Sequence, residues 1–343
     1  MPTQNILKAG LLAILLAAAF IFSWEAFWRS RGYTPTFNDD KALWAAKRPE
    51  AYLPQKDATV FIGSSRIKFD LDLPTWKNIT GEEPVQLSLV GTSPLLLLKD
   101  LAEDEDFRGK LVVDVTEVLF FSQNPAFHRS SSEATAFYAK QTPSEQLSNR
   151  IGQALESQLS FLEERRFSLN TLLEDMQLQS RPGVFLFPSF PKGFEWTTRD
   201  RQTYMSELFL SNPADIKKQT SIWEKLIMGD PTPPLAGNAL EKVLEDVRLY
   251  INKIRSRGGR VMFVRTPSSG PMWEAEEKKY PRNQYWERML SYTGSEGIHF
   301  KDDPVTAQMI CPEWSHLAPQ DVITYTKQLI QSLRDKGWFN TGD

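Results

Sequence analysis

Cysteine is nearly absent from this chain, since Cys311 is the only one among its 343 residues. One thiol cannot close an intrachain disulfide or assemble a cysteine-based zinc site. Histidine is also scarce, with only His128, His299 and His316, and no cluster of histidines and carboxylates has the spacing of metal ligands. The sequence therefore predicts neither a metal nor another cofactor.

An excess of positive charge is missing as well. The chain has 40 lysines and arginines against 43 aspartates and glutamates, which gives a formal net charge of −3. Because there is no basic field and no recognisable nucleic-acid module, we expect no nucleic-acid partner. Hydrophobic residues make up 41% of the chain and charged residues 24%, which is typical of one large or two small globular domains.

One long apolar run stands at the N-terminus, from Ile6 to Trp24. It is just long enough to cross the hydrocarbon core of a bilayer, which takes about 20 apolar residues in a helix. Trp24, Phe27 and Trp28 at its end are typical of the aromatic belt at a membrane interface. We therefore expect residues 1–28 to form a retained signal anchor, or transmembrane helix.

The cleavage and the orientation of this segment have alternatives. The small residues Ala17 to Ala19 favour a cleaved signal peptide, which would release a soluble, lipase-like protein. Lys8 precedes the span, whereas Arg29 and Arg31 follow it, so the positive-inside rule alone favours a cytoplasmic body.

Residues 29–57 are polar and contain proline, which predicts a tether with one short helix around Lys41 to Ala46. The globular domain then runs from residue 58 to residue 343. Its first part alternates apolar, β-branched runs with a leucine-rich helical pattern, which indicates parallel βαβ units. We expect buried strands at Ala58–Ile62, Pro84–Val90 and Lys110–Thr116.

Residues 122–235 interrupt this alternation and form a mostly helical insertion. Its clearest helical patterns are Ile151–Arg165 and Ser168–Leu178. Its aromatic segment Phe185–Trp196 is broken by proline and glycine, so we expect no regular element there. That segment is open to four interpretations: a lid, a membrane-contacting loop, a partner patch, or a loop packed on its own core.

The alternation resumes after the insertion. A long amphipathic helix begins at Asn238, and a fourth strand is predicted at Arg260–Arg265. A short fifth strand at Ile298–Phe300 and a closing helix at Ala318–Lys336 complete the pattern. The whole predicts an α/β fold with a central parallel sheet.

Two distant segments carry the residue types needed for acyl transfer. Ser65 follows the first predicted strand, and open α/β folds collect their ligands at the carboxyl ends of their strands. His316 follows Glu313 by three residues, so the carboxylate can hold one ring nitrogen while the other faces a serine. Ser65 is therefore the candidate nucleophile, His316 the base and Glu313 the orienter; the alternatives are an ordinary turn serine and a surface histidine.

These residues resemble the short blocks of the SGNH, or GDSL-like, hydrolase superfamily, whose fold is a flavodoxin-like three-layer sandwich with a central parallel sheet. The first block is a strand followed by Gly-Asp-Ser, and Gly63 to Ser65 is similar to it, with Ser64 in place of the aspartate. The last block, Asp-x-x-His, is similar to the segment from Glu313 to His316. The resemblance implies the same catalytic roles for the serine, the histidine and the carboxylate.

The second block of the superfamily contributes a glycine after the second strand, where this chain has Gly91. The resemblance implies that the backbone N–H groups of Gly91 and Ser65 form an oxyanion hole. The third block, Gly-x-Asn-Asp, is replaced by Val115-Thr116-Glu117-Val118. A carboxylate aimed at a developing negative charge would oppose catalysis, so Glu117 must face away, hold a proton or bind a cationic group.

The missing asparagine and the N-terminal anchor resemble the branch of the superfamily that works beside membrane-bound O-acyltransferases, as in teichoic acid D-alanylation and alginate O-acetylation. The resemblance implies a single-pass protein of the bacterial inner membrane, with its C-terminal domain in the periplasm or extracytoplasmic space. It also implies a glycan or acyl-ester substrate and a multi-span O-acyltransferase partner. Arg66 and Arg265 are candidates, with Glu117, for substrate binding; ordinary ion-paired arginines are the alternative.

Two functions follow from these expectations. The first is a membrane-anchored serine acyltransferase or esterase that acts on an envelope polysaccharide or a lipid-linked acceptor. The second is a catalytically silent SGNH-like scaffold or accessory protein for a membrane-bound O-acyltransferase complex, which the replaced third block favours.

Overall fold

The computed structural model describes residues 2–174 and 190–339. The chain divides into two compact units, one made of Met1–Asn38 and Leu147–Phe187, the other of Asp39–Gln146 and Pro188–Asp343. Each unit has its own packing.

The described residues form sixteen α-helices and seven β-strands. The helices are α1 (Pro2–Arg29), α2 (Lys41–Lys47), α3 (Ser65–Asp70), α4 (Leu73–Thr80), α5 (Leu95–Glu103), α6 (Glu117–Phe120), α7 (Arg129–Lys140), α8 (Pro143–Glu156), α9 (Glu164–Phe167), α10 (Leu169–Glu174), α11 (Glu207–Leu210), α12 (Pro213–Trp223), α13 (Gly237–Ser256), α14 (Gly270–Lys279), α15 (Trp286–Thr293) and α16 (Pro319–Asp335). The strands are β1 (Ala58–Ile62), β2 (Glu83–Gln86), β3 (Lys110–Asp114), β4 (Glu195–Thr197), β5 (Thr203–Met205), β6 (Arg260–Arg265) and β7 (Gly297–His299).

In the first unit, α1 contains a segment, Asn5–Arg29, that is long and apolar enough to cross a membrane, with a mean hydropathy of 2.3. By length and composition alone, a signal sequence has the same properties. The predicted helix Ile151–Arg165 is divided between α8 and α9. The predicted helix Ser168–Leu178 corresponds to α10 up to Glu174, and its last four positions lie outside the described residues.

The second unit is built on a five-stranded sheet in the order β2-β1-β3-β6-β7, with every neighbouring pair parallel. The chain moves outward from β1 to β2 and then returns to the other side of β1 with β3. This reversal opens a crevice at the carboxyl ends of β1 and β3, and ligands of open α/β sheets bind in such crevices. The segments that follow β1 and β3 therefore lie at this crevice.

Helices cover both faces of this sheet, and the alternation along β1 explains the two cores. Val60 and Ile62 point into a cluster with α5, α13 and α15. Phe61 points the other way, into a cluster with α3, α4 and α16. Strands buried on both faces read as continuous apolar runs, which is why β1 and β6 have the bounds that the sequence predicts.

The second unit begins earlier than the sequence boundary at residue 58. The sequence predicts a tether over residues 29–57, but Trp44 in α2 is only 1% exposed and lies in the core. Its indole N–H donates a 2.9 Å hydrogen bond to the carbonyl of Leu87. Burial of this aromatic side chain joins the segment from Asp39 onward to the second unit.

The predicted insertion contains strands as well as helices. β4 and β5 form a short antiparallel hairpin, in which Trp196 faces Tyr204. The prediction that the Phe185–Trp196 segment holds no regular element is therefore wrong at its end. The positions from Phe185 to Ser189 lie outside the described residues.

Candidate active site

The turn after β1 lies tightly against the end of β3. A Cβ atom on Gly63 would lie 2.6 Å from the Cβ of Asp114 and 2.6 Å from Cγ2 of Ile67. Real Cβ atoms do not approach so closely, so only glycine fits at this position. The close approach brings Ser64 and Ser65 next to the residues that follow β3.

Ser64 has a structural role in this turn. It is the N-cap of α3, and its Oγ accepts a hydrogen bond from the backbone N–H of Arg66 at 3.3 Å. The same hydroxyl lies 2.7 Å from Oγ1 of Thr116 and 3.4 Å from Oδ2 of Asp114. Ser64 is 1% exposed, so its hydroxyl is fully committed to holding the turn against β3.

Ser65 differs from its neighbour. It is the first residue of α3 and is half-buried. Its Oγ makes no hydrogen bond to any residue that the structure describes, and its backbone N–H, at the open N-terminus of the helix, has no described acceptor either. Of the two serines, Ser65 is the one whose hydroxyl and N–H are both available to a substrate.

Gly91 follows β2, the strand that neighbours β1 in the sheet. The hydrogen-bond ladder between the first two strands continues beyond β2, with the N–H of Leu89 donating to the carbonyl of Gly63 at 3.1 Å. Two residues further along each chain stand Gly91 and Ser65. Gly91 is exposed, has a left-handed φ of 62°, and its N–H has no acceptor within the described part of the chain.

Glu313 and His316 form a buried pair. Oε1 of Glu313 lies 2.9 Å from Nδ1 of His316 and also accepts the backbone N–H groups of Ser315, at 3.2 Å, and His316, at 2.6 Å. Trp314 between them adopts a left-handed φ of 78°, which turns the chain back on the carboxylate. With Nδ1 donating, a neutral ring carries its lone pair on Nε2, and this buried atom has no partner among the described residues.

The second oxygen of Glu313 is also occupied. Oε2 accepts a hydrogen bond from the indole Nε1 of Trp223, at the end of α12. Burial by itself would raise the pKa of Glu313, but the His316 imidazole and the hydrogen bonds from His316 and Trp223 hold that pKa below its usual value. The carboxylate therefore stays ionised in an interior position.

Aromatic rings surround the imidazole. The ring centroid of His316 lies 4.4 Å from that of Phe69, 6.1 Å from that of Phe194 and 6.2 Å from that of Trp223. Phe190 extends the wall by contacting both Phe194 and Trp223. Except for Phe69, these rings come from the predicted insertion, so the insertion supplies an apolar wall beside the base.

Helix α3 connects the serine with the histidine. Phe69 follows Ser65 by four residues and therefore lies on the same side of α3, with its side chain inclined toward the helix N-terminus. Its ring is the one that stacks on His316. The segment that carries His316 is fastened along the same helix: Nε of Arg66 donates to Oγ of Ser315 at 3.3 Å, and the N–H of Leu317 donates to Asp70 at 2.9 Å.

The two arginines that the sequence proposed for substrate binding are buried in an ion-pair network. Arg66 is 2% exposed and pairs with Glu276 of α14. Arg265 is fully buried; its Nε lies 2.9 Å from both oxygens of Glu117, and one terminal nitrogen lies 2.6 Å from Glu276. Of the three options for Glu117, the structure realises the third, because the carboxylate holds a cation. Both guanidinium groups are thus already paired with carboxylates, and their substrate-binding role stays a prediction.

Burial raises the pKa of every buried acid at this site, but nearby arginines outweigh it for only one of them. Burial opposes ionisation of Glu276, but Arg66 and Arg265 lower its pKa to about 2. For Glu117 burial prevails and raises the pKa in spite of Arg265. Asp70 is more extreme, since complete burial raises its pKa well above the usual value while only the N–H of Leu317 opposes the shift among its hydrogen bonds. The carboxyl groups of this site therefore differ in the direction of their pKa shifts, according to whether burial or a neighbouring cation dominates.

Three residues of this site were not found from the sequence: Trp223, Phe69 and Glu276. Glu276 stands in a charged run on α14 with neighbours that are exposed, and no local pattern separates it from them. Trp223 and Phe69 become neighbours of His316 only through folding. Within the described ranges, no group of three or more histidine, cysteine or acidic side chains has the arrangement of a metal site.

No family model matches the chain, and no curated protein sequence matches it at a significant level.

Proposed function

We propose that the protein is a membrane-anchored serine acyltransferase or esterase of the SGNH type. The observation that carries the proposal is the buried His316: Glu313 holds Nδ1, Nε2 is left without a partner among the described residues, and the ring packs on Phe69, four residues after Ser65 on α3. A histidine held in this way is suited to take a proton from a neighbouring hydroxyl.

In the proposed reaction, the Oγ of Ser65 attacks the carbonyl carbon of an acyl ester, and Nε2 of His316 takes the hydroxyl proton. The tetrahedral intermediate collapses, the bond to the leaving alcohol breaks, and that alcohol receives the proton from the imidazolium. A sugar hydroxyl or water then gives its proton to His316 and attacks the acyl-serine. This second step releases the acylated acceptor or the free acid and restores Ser65.

The N–H groups of Ser65 and Gly91 are the proposed donors to the oxyanion. Both are unpaired within the described part of the chain, and the ladder contact between Leu89 and Gly63 supports their proximity. A third donor is missing, because Thr116 is bound to Ser64 and Glu117 to Arg265. Loss of one such donor costs about 10²- to 10³-fold in rate, so we expect slow turnover.

The fold and the anchor support the proposed setting. Counted in chain order, the sheet strands follow the flavodoxin-like order 2-1-3-4-5, with the site at the switch point between the first and the third. A single N-terminal span would place the catalytic unit at a membrane surface. We propose the extracytoplasmic side of a bacterial inner membrane, a glycan or lipid-linked acceptor, and a multi-span O-acyltransferase as partner.

A fluorophosphonate probe tests the enzyme directly, because it phosphonylates only an activated serine. We expect labelling of the native protein that disappears after denaturation and in the Ser65→Ala and His316→Ala variants. Ser269, whose hydroxyl is hydrogen-bonded to the backbone of Cys311, offers a matched control. The Ser269→Ala variant should label as the wild type does. Labelling that persists in Ser65→Ala would reject the mechanism.

The second candidate function is a catalytically silent scaffold for an O-acyltransferase complex. The observation that favours it is the ion pair of Glu117 with Arg265, because Glu117 stands in the sequence block that would otherwise supply an oxyanion donor. Absence of labelling in protein that is folded and monodisperse would support this candidate over the enzyme.

A further inference from the structure

Helix α8 carries an apolar stripe on its outer side. Leu147, Ile151 and Leu155 follow one another at intervals of four residues and therefore lie along one face of the helix. Their exposed fractions are 60%, 55% and 50%. These are large values for three leucine-sized side chains in a row, and together they form a continuous apolar strip.

The polar residues of the same helix lie on the opposite, protein-facing side. Asn149, Gln153 and Glu156 are half-buried. An amphipathic helix of a water-soluble protein turns its apolar face inward and its polar face outward. Helix α8 has the reverse arrangement, which points to an apolar surrounding outside the helix.

The end of α8 is fastened to the end of α1 within the first unit. Glu25 of α1 accepts hydrogen bonds from the backbone N–H of Ser160 at 3.0 Å and from its hydroxyl at 2.9 Å. Arg29 donates to the carbonyl of Gln158 at 2.7 Å. Ser160 follows the last residue of α8, Glu156, by four positions. The end of the stripe at Leu155 is therefore close in sequence to the residues that hold the end of the candidate membrane span.

The ring cluster at this junction indicates its depth in a bilayer. Trp28 contacts Trp24 at 5.6 Å, Tyr33 at 5.4 Å and Phe167 at 4.7 Å between ring centroids. Clusters of tryptophan and tyrosine at the end of a span sit at the level of the lipid headgroups. The C-terminal end of α8 consequently lies near the level of the membrane surface.

We propose that the stripe of Leu147, Ile151 and Leu155 lies in the headgroup and acyl boundary of the bilayer that α1 enters. This inference rests on α1 crossing the membrane, and it does not require the proposed catalysis. α8 carries one basic residue, Arg150, against Glu145 and Glu156, so attraction to anionic lipids contributes little. Binding through apolar area should therefore occur on zwitterionic lipid and should not depend on salt, with the side chains about 5–10 Å deep.

The test uses the full chain in phosphatidylcholine vesicles, with the buried Cys311 replaced by alanine. A polarity-sensitive fluorophore is placed on Ile151→Cys, and lipid-borne nitroxides report its depth. Gln146→Cys is the matched control, because this exposed position lies on the same helix about 140° around the axis from residue 151. Leu15→Cys, in the middle of α1, reports whether the anchor is inserted.

We expect the label at residue 151 to shift to the blue and to be quenched by shallow nitroxides, at low and at high salt, while the label at 146 stays in water. Equal water exposure at 151 and 146, with the label at 15 quenched by deep nitroxides, would overturn the inference. Shielding at 151 that grows with the protein-to-lipid ratio would also overturn it, in favour of a second copy. Shielding at residue 151 in native membranes but not in phosphatidylcholine vesicles would also overturn the inference and would indicate a protein partner. An unquenched label at residue 15 would remove the anchor and the inference together.

Discussion

The indole N–H of Trp223 donates to Oε2 of Glu313, whose other oxygen lies 2.9 Å from Nδ1 of His316. Trp223 ends α12, in the predicted insertion, whereas Glu313 and His316 precede the closing helix α16. The contact joins the insertion to the proposed catalytic pair. Glu313 therefore has all of its hydrogen bonds only when the insertion is folded.

Trp223→Phe tests this contact while keeping an aromatic ring beside His316. A hydrogen bond to a charged group contributes about 1.5–3 kcal/mol, and part of it acts in the ground state as well. We therefore expect the rate of fluorophosphonate labelling at Ser65 to fall about tenfold. The lowered pKa of Glu313 should return toward its usual value, so the carboxylate should take up a proton earlier as the pH is lowered. The labelling rate should therefore begin to fall at a higher pH in the variant than in the wild type during acidification.

Trp196→Phe is the control for this variant. Trp196 packs on Tyr204 in the β4–β5 hairpin, and it should tolerate the change without an altered labelling rate or pH profile. Equal profiles for Trp223→Phe and Trp196→Phe would show that the indole hydrogen bond has no positioning role.

The two neighbouring serines should separate stability from chemistry. Ser64→Ala removes the N-cap of α3 and the contact with Thr116, so we expect a loss of about 1–2 kcal/mol in the free energy of unfolding. Ser65→Ala removes a hydroxyl without described partners and should leave stability unchanged within about 0.5 kcal/mol. Urea denaturation of the solubilised protein measures both. A larger loss for Ser65→Ala than for Ser64→Ala would contradict these assignments.

Glu276 stabilises two buried cations. Glu276→Gln leaves Arg66 and Arg265 with too little negative charge in the interior, so we expect a loss of about 3–5 kcal/mol. Glu277→Gln, one residue further on an exposed position of the same helix, should leave the denaturation midpoint unchanged.

The Glu276 carboxylate should also contribute to the loss of stability of the wild type in acid. Its pKa is lowered to about 2 from an ordinary value of 4.5, so its stabilising effect is complete above about pH 4.5 and is lost as the pH falls toward 2. In Glu276→Gln this part of the pH dependence should be missing. An identical acid slope in wild type and variant would show that Glu276 does not supply it.

Asp70 should change the pH dependence of stability in the opposite direction from Glu276. Its pKa is raised by burial, so the folded state keeps a proton that the unfolded chain releases above about pH 4. The free energy of unfolding therefore falls as the pH rises above about 4. Asp70→Asn retains an acceptor for the N–H of Leu317 and removes the titration, so we expect a higher melting temperature than wild type at pH 7 and a similar one at pH 3. A lower melting temperature at pH 7 would mean that Asp70 is ionised in the folded protein.

Much of the sheet could be predicted from the sequence, for a local reason. β1 and β6 are buried on both faces, and their continuous apolar, β-branched runs mark both ends. β2 and β3 end earlier than predicted, at Gln86 and Asp114, because the apolar run continues into the loops at the carboxyl edge. The hairpin of β4 and β5 was missed because three-residue strands are too short to establish a period.

The sequence by itself determined the candidate span, the order of the sheet strands along the chain, and the residue types in the blocks around Ser65 and around Glu313 to His316. These features are local, since each is set by neighbouring residues and their periodicity. Which arginine meets which carboxylate, and which ring lies against His316, was decided only by the tertiary structure. Arg66 and Glu276 are 210 positions apart, and such contacts depend on how helices pack on a sheet rather than on any spacing along the chain.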